Sequence, residues 1–231
     1  VKQDTIKKQQ AIFCLLAKFG NALSNPKRLK IIGLLSQGRK SVEQLADMTD
    51  QSVAAASANL KVLRAAGVVV AEKEGRHVWC SVASDRVSEM WIALRNLGEE
   101  LLPEVREIVR DYFEQPDTLS TLTMAEVLEE LRQDRVILLD LRNRDEYLAG
   151  HLPAARHVPV SDLTACLDGL PPDKPVLAYC RGPYCLTAVN AANAHREGRI
   201  PVRSLRFGVP EWKAAGLPLD EAYLQTLTPT P

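Results

Sequence analysis

Val176-Leu177-Ala178-Tyr179 is an unbroken apolar run, and Cys180-Arg181-Gly182-Pro183-Tyr184-Cys185 follows it at once, ahead of a helical stretch around residues 186–197. A short apolar run closed by Gly and Pro reads as a buried strand. Strand, tight loop and helix then form one α/β unit with Cys180 at the strand's carboxyl end, where open α/β sheets gather reactive groups. A loop feeding a helix N-terminus aims backbone N–H groups inward, and those donors with the positive helix end favour an anion. Cys180 is therefore expected as a thiolate, with adjacent Arg181 adding positive charge. The plainer alternative is a strand-end core cysteine; the helix-entering loop with Arg181 and Gly182 argues against it.

Outward from this loop the same pattern continues. Val136-Ile137-Leu138-Leu139-Asp140-Leu141-Arg142 is another apolar strand, ending in an acidic and a basic residue. Short β-type runs alternate with helices from residue 115 onward, which predicts an α/β domain with a parallel sheet. Glu114-Gln115-Pro116-Asp117 is polar and holds a proline that cannot continue a helix. It divides the 231 residues into two expected domains, 1–114 and 115–231. Leu227 to Pro231 read as a frayed tail.

Before the seam the reading is helical with one hairpin. Ile6, Phe13, Leu16 and Gly20 repeat at helical spacing over residues 5–22. Ser24-Asn25-Pro26 supplies a cap and a proline for a second helix carrying Leu29, Ile32 and Leu35. Ser41 opens a third, and Ser52 a fourth that is expected to bury Val53, Ala56, Leu60 and Leu63 and to close at Gly67. The third and fourth are joined by the short turn Thr49-Asp50-Gln51, which is helix-turn-helix spacing. The fourth helix's other side carries small or polar residues. Ser52, Ser57 and Asn59 are candidates for base-edge contacts and Lys61 for phosphate. Val68-Val69-Val70 and His77-Val78-Trp79-Cys80 flank a charged hairpin tip, whose Lys73 and Arg76 are candidates for the flanking DNA backbone or minor groove. From Asp85 a long helix carries Val87, Trp91, Leu94, Gly98, Leu101, Val105, Ile108 and Tyr112 in steps of four and three, a seam for another helix. Pro103 predicts a kink or restart within it.

Composition narrows the partners. Residues 1–114 hold 17 Lys/Arg against 14 Asp/Glu, and residues 115–231 hold 12 against 15, so only the first half leans towards nucleic acid. No apolar run approaches the ~20 residues of a membrane span. Five cysteines, an odd number in a chain of this length, fit reduced cytoplasmic thiols better than a secreted disulfide framework. Cys14 and Cys80 sit among apolar neighbours and are expected buried and inert, the alternative being a dithiol formed between them in a dimer. Cys166 is read as a packing residue.

Two resemblances sharpen these readings. Ala22-Leu23-Ser24-Asn25-Pro26-Lys27-Arg28-Leu29-Lys30-Ile31-Ile32, the stretch from Asn59 to Val69 and Glu74-Gly75-Arg76-His77-Val78-Trp79 resemble the ArsR/SmtB family of winged-helix repressors over roughly residues 10–110. That likeness implies an all-α winged helix-turn-helix domain with a β-hairpin wing, a homodimer and double-stranded operator DNA as partner. Metal sensing is not expected: Lys40 to Ala46 holds no cysteine and residues 84–114 hold no histidine.

Residues 118–222 resemble the rhodanese homology domain through the Asp140-x-Arg142 strand end, Gly150-His151-Leu152-Pro153-Ala154, the cysteine loop, and Gly208-Val209-Pro210-Glu211-Trp212. The resemblance implies a persulfide on Cys180, with Asp140, Arg142, Glu146 and His151 as structural supports; no cofactor or metal is expected. The loop departs from thiosulfate-using relatives in ending on Cys185 instead of Arg. Cys185 either resolves a Cys180 persulfide or sulfenic acid into a disulfide or begins the helix facing inward. Three functions follow as expectations. The leading one is a regulator that senses a sulfane-sulfur donor or oxidant; the others are a working sulfurtransferase with an attached DNA-binding domain and an arsenite- or oxyanion-responsive repressor.

Overall fold

The computed structural model describes residues 2–220; the tail expected at Leu227 to Pro231 lies outside them. The chain divides into two compact units between Trp91 and Ile92. This division falls inside a helix, earlier in the chain than the seam expected at 114/115. Residues 92–114 group with the second unit, where Arg95 pairs with Glu211 and Glu99 with Arg206.

The first unit runs α1 (Lys2–Leu23), α2 (Pro26–Leu35), β1 (Lys40–Ser41), α3 (Val42–Met48), α4 (Val53–Ala65), β2 (Val69–Glu74) and β3 (His77–Val82), and it takes in the start of α5 (Asp85–Leu101). The caps are those the sequence predicts. The Asn25 side chain accepts from the backbone N–H groups of Lys27 and Arg28 with Pro26 as first helical residue, and Ser41 forms a capping box with Gln44. Ile31, Ile32, Leu35, Leu45, Leu60 and Leu63 close one core with Val68, Val69, Cys80 and Val87.

Three features differ from the sequence reading. Lys40–Ser41 adds a short strand, giving a three-stranded antiparallel sheet of order β1-β3-β2. Val53 is exposed, since it stands at the first position of α4, a turn ahead of Ala56 where the helix reaches the core. Cys14 is exposed as well, while Cys80 is buried as expected. The predicted break at Pro103 is a restart: α5 ends at Leu101 and α6 (Pro103–Phe113) begins beyond the extended Leu102.

The second unit continues from α5 and α6 into α7 (Met124–Arg132), β4 (Ile137–Asp140), α8 (Arg144–Ala149), β5 (Arg156–His157), α9 (Leu163–Asp168), β6 (Val176–Tyr179), α10 (Leu186–Ala194), β7 (Val202–Ser204) and α11 (Val209–Ala214). Its sheet is wholly parallel in the order β5-β4-β6-β7. Every residue of β4 and β6 is buried, which is why both read as continuous apolar runs instead of alternating ones. Side chains alternate along these strands into two cores. Ile137, Leu139, Val176, Ala178 and Cys180 lie in one; Leu138, Leu177, Tyr179 and Trp212 lie in the other.

Candidate functional site

Cys180 follows β6 directly, and the loop turns back through a hydrogen bond from the Cys185 N–H to the Gly182 carbonyl. Gly182 sits at a φ of +100°, a backbone state few other residues adopt. The turn brings Cys185 to the N-terminus of α10 and sets its Sγ 2.8 Å from the Cys180 Sγ. Both thiols are free, Cys180 buried and Cys185 half-buried.

Two sulfurs this close share one proton, and the loop decides where the charge rests. The Cys180 thiol, the Arg181 and Thr187 N–H groups and the Thr187 hydroxyl draw Cys185 down to about 5 despite burial. The hydrogen bond with Cys185, burial and the charge on Cys185 push Cys180 well up. The pair therefore holds one proton and one negative charge at neutral pH. Sequence reasoning placed the thiolate on Cys180; here the donors converge on Cys185. Arg181 contributes its backbone N–H to this, while its guanidinium pairs with the buried carboxylate of Glu146, Nε standing 3.0 Å from both oxygens.

Asp140 and Arg142 form a fully buried ion pair at the end of β4, with Arg142 Nη2 2.6 Å from Asp140 Oδ2. Arg142 also donates to the Gly150 carbonyl. The Tyr179 hydroxyl donates to Asp140 and accepts from the Leu152 N–H. Burial and the Asp140 charge hold that phenol well above its usual range, so it remains a donor. His151 stacks on Tyr147, ring centroids 3.8 Å apart, and its Nδ1 meets the Tyr147 carbonyl at 3.0 Å. These groups fix the strand ends and the Gly150–Leu152 turn. None of these bonds reaches a sulfur.

Other neighbours of the loop were not singled out from sequence. Gly208 lies so close that a Cβ there would stand 2.7 Å from the Cys180 carbonyl oxygen. Glu211 accepts from the Gly208 N–H and lies against Gly182, where a Cβ would meet its carboxylate at 3.1 Å. Arg95 of α5 donates to that carboxylate at 2.7 Å, and both side chains are at least nine-tenths buried. At the loop tip the Tyr184 hydroxyl donates to Glu99 at 3.1 Å, its ring lies 5.9 Å from Phe113, and the Arg95 guanidinium stands 5.7 Å over it. Arg206 binds Glu99 and also Glu114 at the end of α6. A Gly-x-Pro-Glu run hinted at part of this; Arg95 and Glu99, distant in sequence, gave no signal.

The DNA-reading candidates all lie in the first unit. The turn between α3 and α4 carries Asp50 at a φ of +52°. Lys27 Nζ donates to the Thr49 and Asp50 carbonyls, Gln51 to the Thr49 hydroxyl, and Asn59 to Gln51. Asn59 also donates to the Ala55 carbonyl, so its amide nitrogen braces the turn. Ser52 caps α4 by accepting from the Ala55 N–H. Ser57 and Lys61 are exposed on the same helix, and Lys73 and Arg76 are exposed on the wing. The wing's strands run on to Glu74 and from His77, so its tip is only Gly75-Arg76, and Arg39 pairs with Glu74 at its base.

Known proteins share both halves. The family described as bacterial regulatory protein, arsR family, matches residues 25–70, and the rhodanese-like domain matches residues 123–215. The HTH-type transcriptional regulator Rv0324 of Mycobacterium tuberculosis is 36% identical over 214 residues, which is 93% of this chain and 94% of the relative. The chain belongs to the ArsR family of transcriptional regulators. This ArsR-family chain carries the rhodanese-like domain as its second half, and the uncharacterized protein YqhL of Bacillus subtilis is 28% identical over 105 residues, 46% of this chain and 81% of that protein. The homodimeric winged helix-turn-helix DNA-binding domain of a possible ArsR-family regulator from Mycobacterium bovis is 33% identical, covering 42% of this chain and 89% of that one with a TM-score of 0.40. No helix among the described residues of this ArsR-family regulator is long and apolar enough to cross a membrane.

Proposed function

We propose that the protein is a homodimeric operator-binding regulator whose affinity for DNA is set by the oxidation state of Cys180 and Cys185, with sulfane sulfur or an oxidant as the signal. The single observation carrying this reading is the 2.8 Å approach of the two sulfurs in a loop that holds one of them as thiolate. With an organic persulfide the chemistry balances in two steps. The thiolate attacks the outer sulfur, forming a protein persulfide and expelling the thiolate RS⁻. The neighbouring thiol then attacks the inner sulfur of that persulfide, forming the Cys180–Cys185 disulfide and releasing hydrogen sulfide. The dithiol gives up two electrons and the sulfane sulfur takes them. A resolving thiol in van der Waals reach removes the persulfide before a second acceptor arrives, which favours signalling over sulfurtransferase turnover.

DNA contact is assigned to α4 and the wing, through Ser57, Lys61, Lys73 and Arg76, with Ser52 and Asn59 holding the helix and turn in place. Dimerisation is supported by the apolar residues Ile6, Phe13 and Leu16 that α1 leaves exposed. Operator-shift titration of wild type, Cys180→Ser and Cys185→Ser with an organic persulfide tests the reading. Wild type is expected to lose affinity and both variants to stay bound. Equal responses in all three would defeat the sensor, and sustained thiosulfate turnover would replace it with the enzyme.

A further inference from the structure

We infer that Tyr184, Glu99 and Arg95 are positioning residues through which the cysteine pair acts on helix α5; this rests on the sensor reading above. Tyr184 directly precedes Cys185, so any movement of Cys185 towards Cys180 moves Tyr184 with it. The 2.8 Å separation must close to about 2.05 Å when the disulfide forms, with the torsion about the S–S bond turning towards ±90°. The loop has little freedom to absorb that change elsewhere. Gly182 lies against the Glu211 carboxylate on one side and Gly208 is pressed on the Cys180 carbonyl on the other. The tip carrying Tyr184 is the part left to move.

Tyr184 is fastened to α5 by two independent contacts, its hydroxyl on Glu99 and its ring under the Arg95 guanidinium. Arg95 also grips Glu211, so both flanks of the loop, Gly182 through Glu211 and Tyr184 directly, end on residues one helical turn apart on α5. Glu99 in turn shares Arg206 with Glu114 beyond α6. The same α5 supplies Val87, Met90 and Trp91 to the core of the DNA-binding unit. One unbroken helix thus carries the loop's attachment points and part of the packing behind the DNA-reading helices. Closing the disulfide lifts Tyr184 from Glu99 and Arg95, and α5 loses the ties that held it in the reduced form.

The test uses full-length protein, wild type against Tyr184→Phe and Glu99→Gln, each reduced and then treated with an organic persulfide. Mass spectrometry follows the Cys180–Cys185 bond, operator titration follows affinity, and hydrogen exchange follows residues 92–101. Wild type is expected to lose affinity about tenfold on disulfide formation, within the usual range of coupled sites, with faster exchange in α5. Both variants are expected to form the disulfide at the wild-type rate yet change affinity less than about twofold. Variants that respond as fully as wild type overturn the inference while leaving the sensor intact. A wild type that forms the disulfide and keeps its affinity overturns both.

Discussion

At the scale of the residue, the loop converts two ordinary thiols into a pair with one mobile proton. The first ionisation of the pair is drawn to about 5 at Cys185, where an unfolded cysteine ionises near 8.5. Titration of thiolate absorbance is expected to show one sulfur ionised with a midpoint near pH 5, and Cys180→Ala to move that midpoint up by removing the strongest donor. A single midpoint at the ordinary thiol value would refute this. Linkage gives the sign for stability. The folded pair binds fewer protons than the unfolded chain between about pH 5 and 8.5, so its contribution grows across that window and is lost as the pH falls to 5. Above it the raised Cys180 reverses the trend. The difference in Tm between wild type and Cys185→Ser should therefore be greatest near pH 8 and vanish near pH 5. Gly208→Ala forces a methyl against the Cys180 carbonyl and should cost roughly 1–3 kcal/mol in denaturant titration; a neutral result would mean the backbone yields there.

Among the elements, the strand ends are held by buried charge. Asp140→Asn leaves Arg142 buried beside a neutral amide and should cost about 3–5 kcal/mol, the usual penalty for breaking a buried pair. Chemical denaturation checks it, and an unchanged midpoint would show that Arg142 finds compensation. In the DNA-binding unit, Ser52→Ala removes the cap of α4 and is expected to lower stability by about 1 kcal/mol. Much of this level was legible in the sequence. Asn25-Pro26, Ser41 and Ser52 announce helix starts because capping is local, and Val136–Leu139 and Val176–Tyr179 announce buried parallel strands because both faces are covered. Lys40–Ser41 was not legible, since two residues carry no periodicity and their pairing with Trp79 and Cys80 is non-local. The charge on Cys185 was hidden for a related reason: it depends on which sulfur the Arg181 and Thr187 donors face, and spacing alone does not say.

For the whole molecule the decisive quantities are association and salt. α1 leaves Ile6, Phe13 and Leu16 exposed, each more than half accessible, a stripe that covering by a second chain would bury. Phe13→Asp with Leu16→Asp should shift sedimentation from dimer to monomer; a persistent dimer would place the interface elsewhere. The clamp of Arg206 on Glu99 and Glu114 has a consequence of its own for measurements on DNA. Its three side chains are all partly wetted, so mobile ions weaken it. Rising salt should then do two things at once: it competes for the contacts proposed between Lys61, Lys73 and Arg76 and the DNA phosphates, and it slackens the elbow between α5 and α6. The slope of log affinity against log salt for intact protein should accordingly exceed the number of phosphates neutralised, and Arg206→Gln should bring it back towards that number.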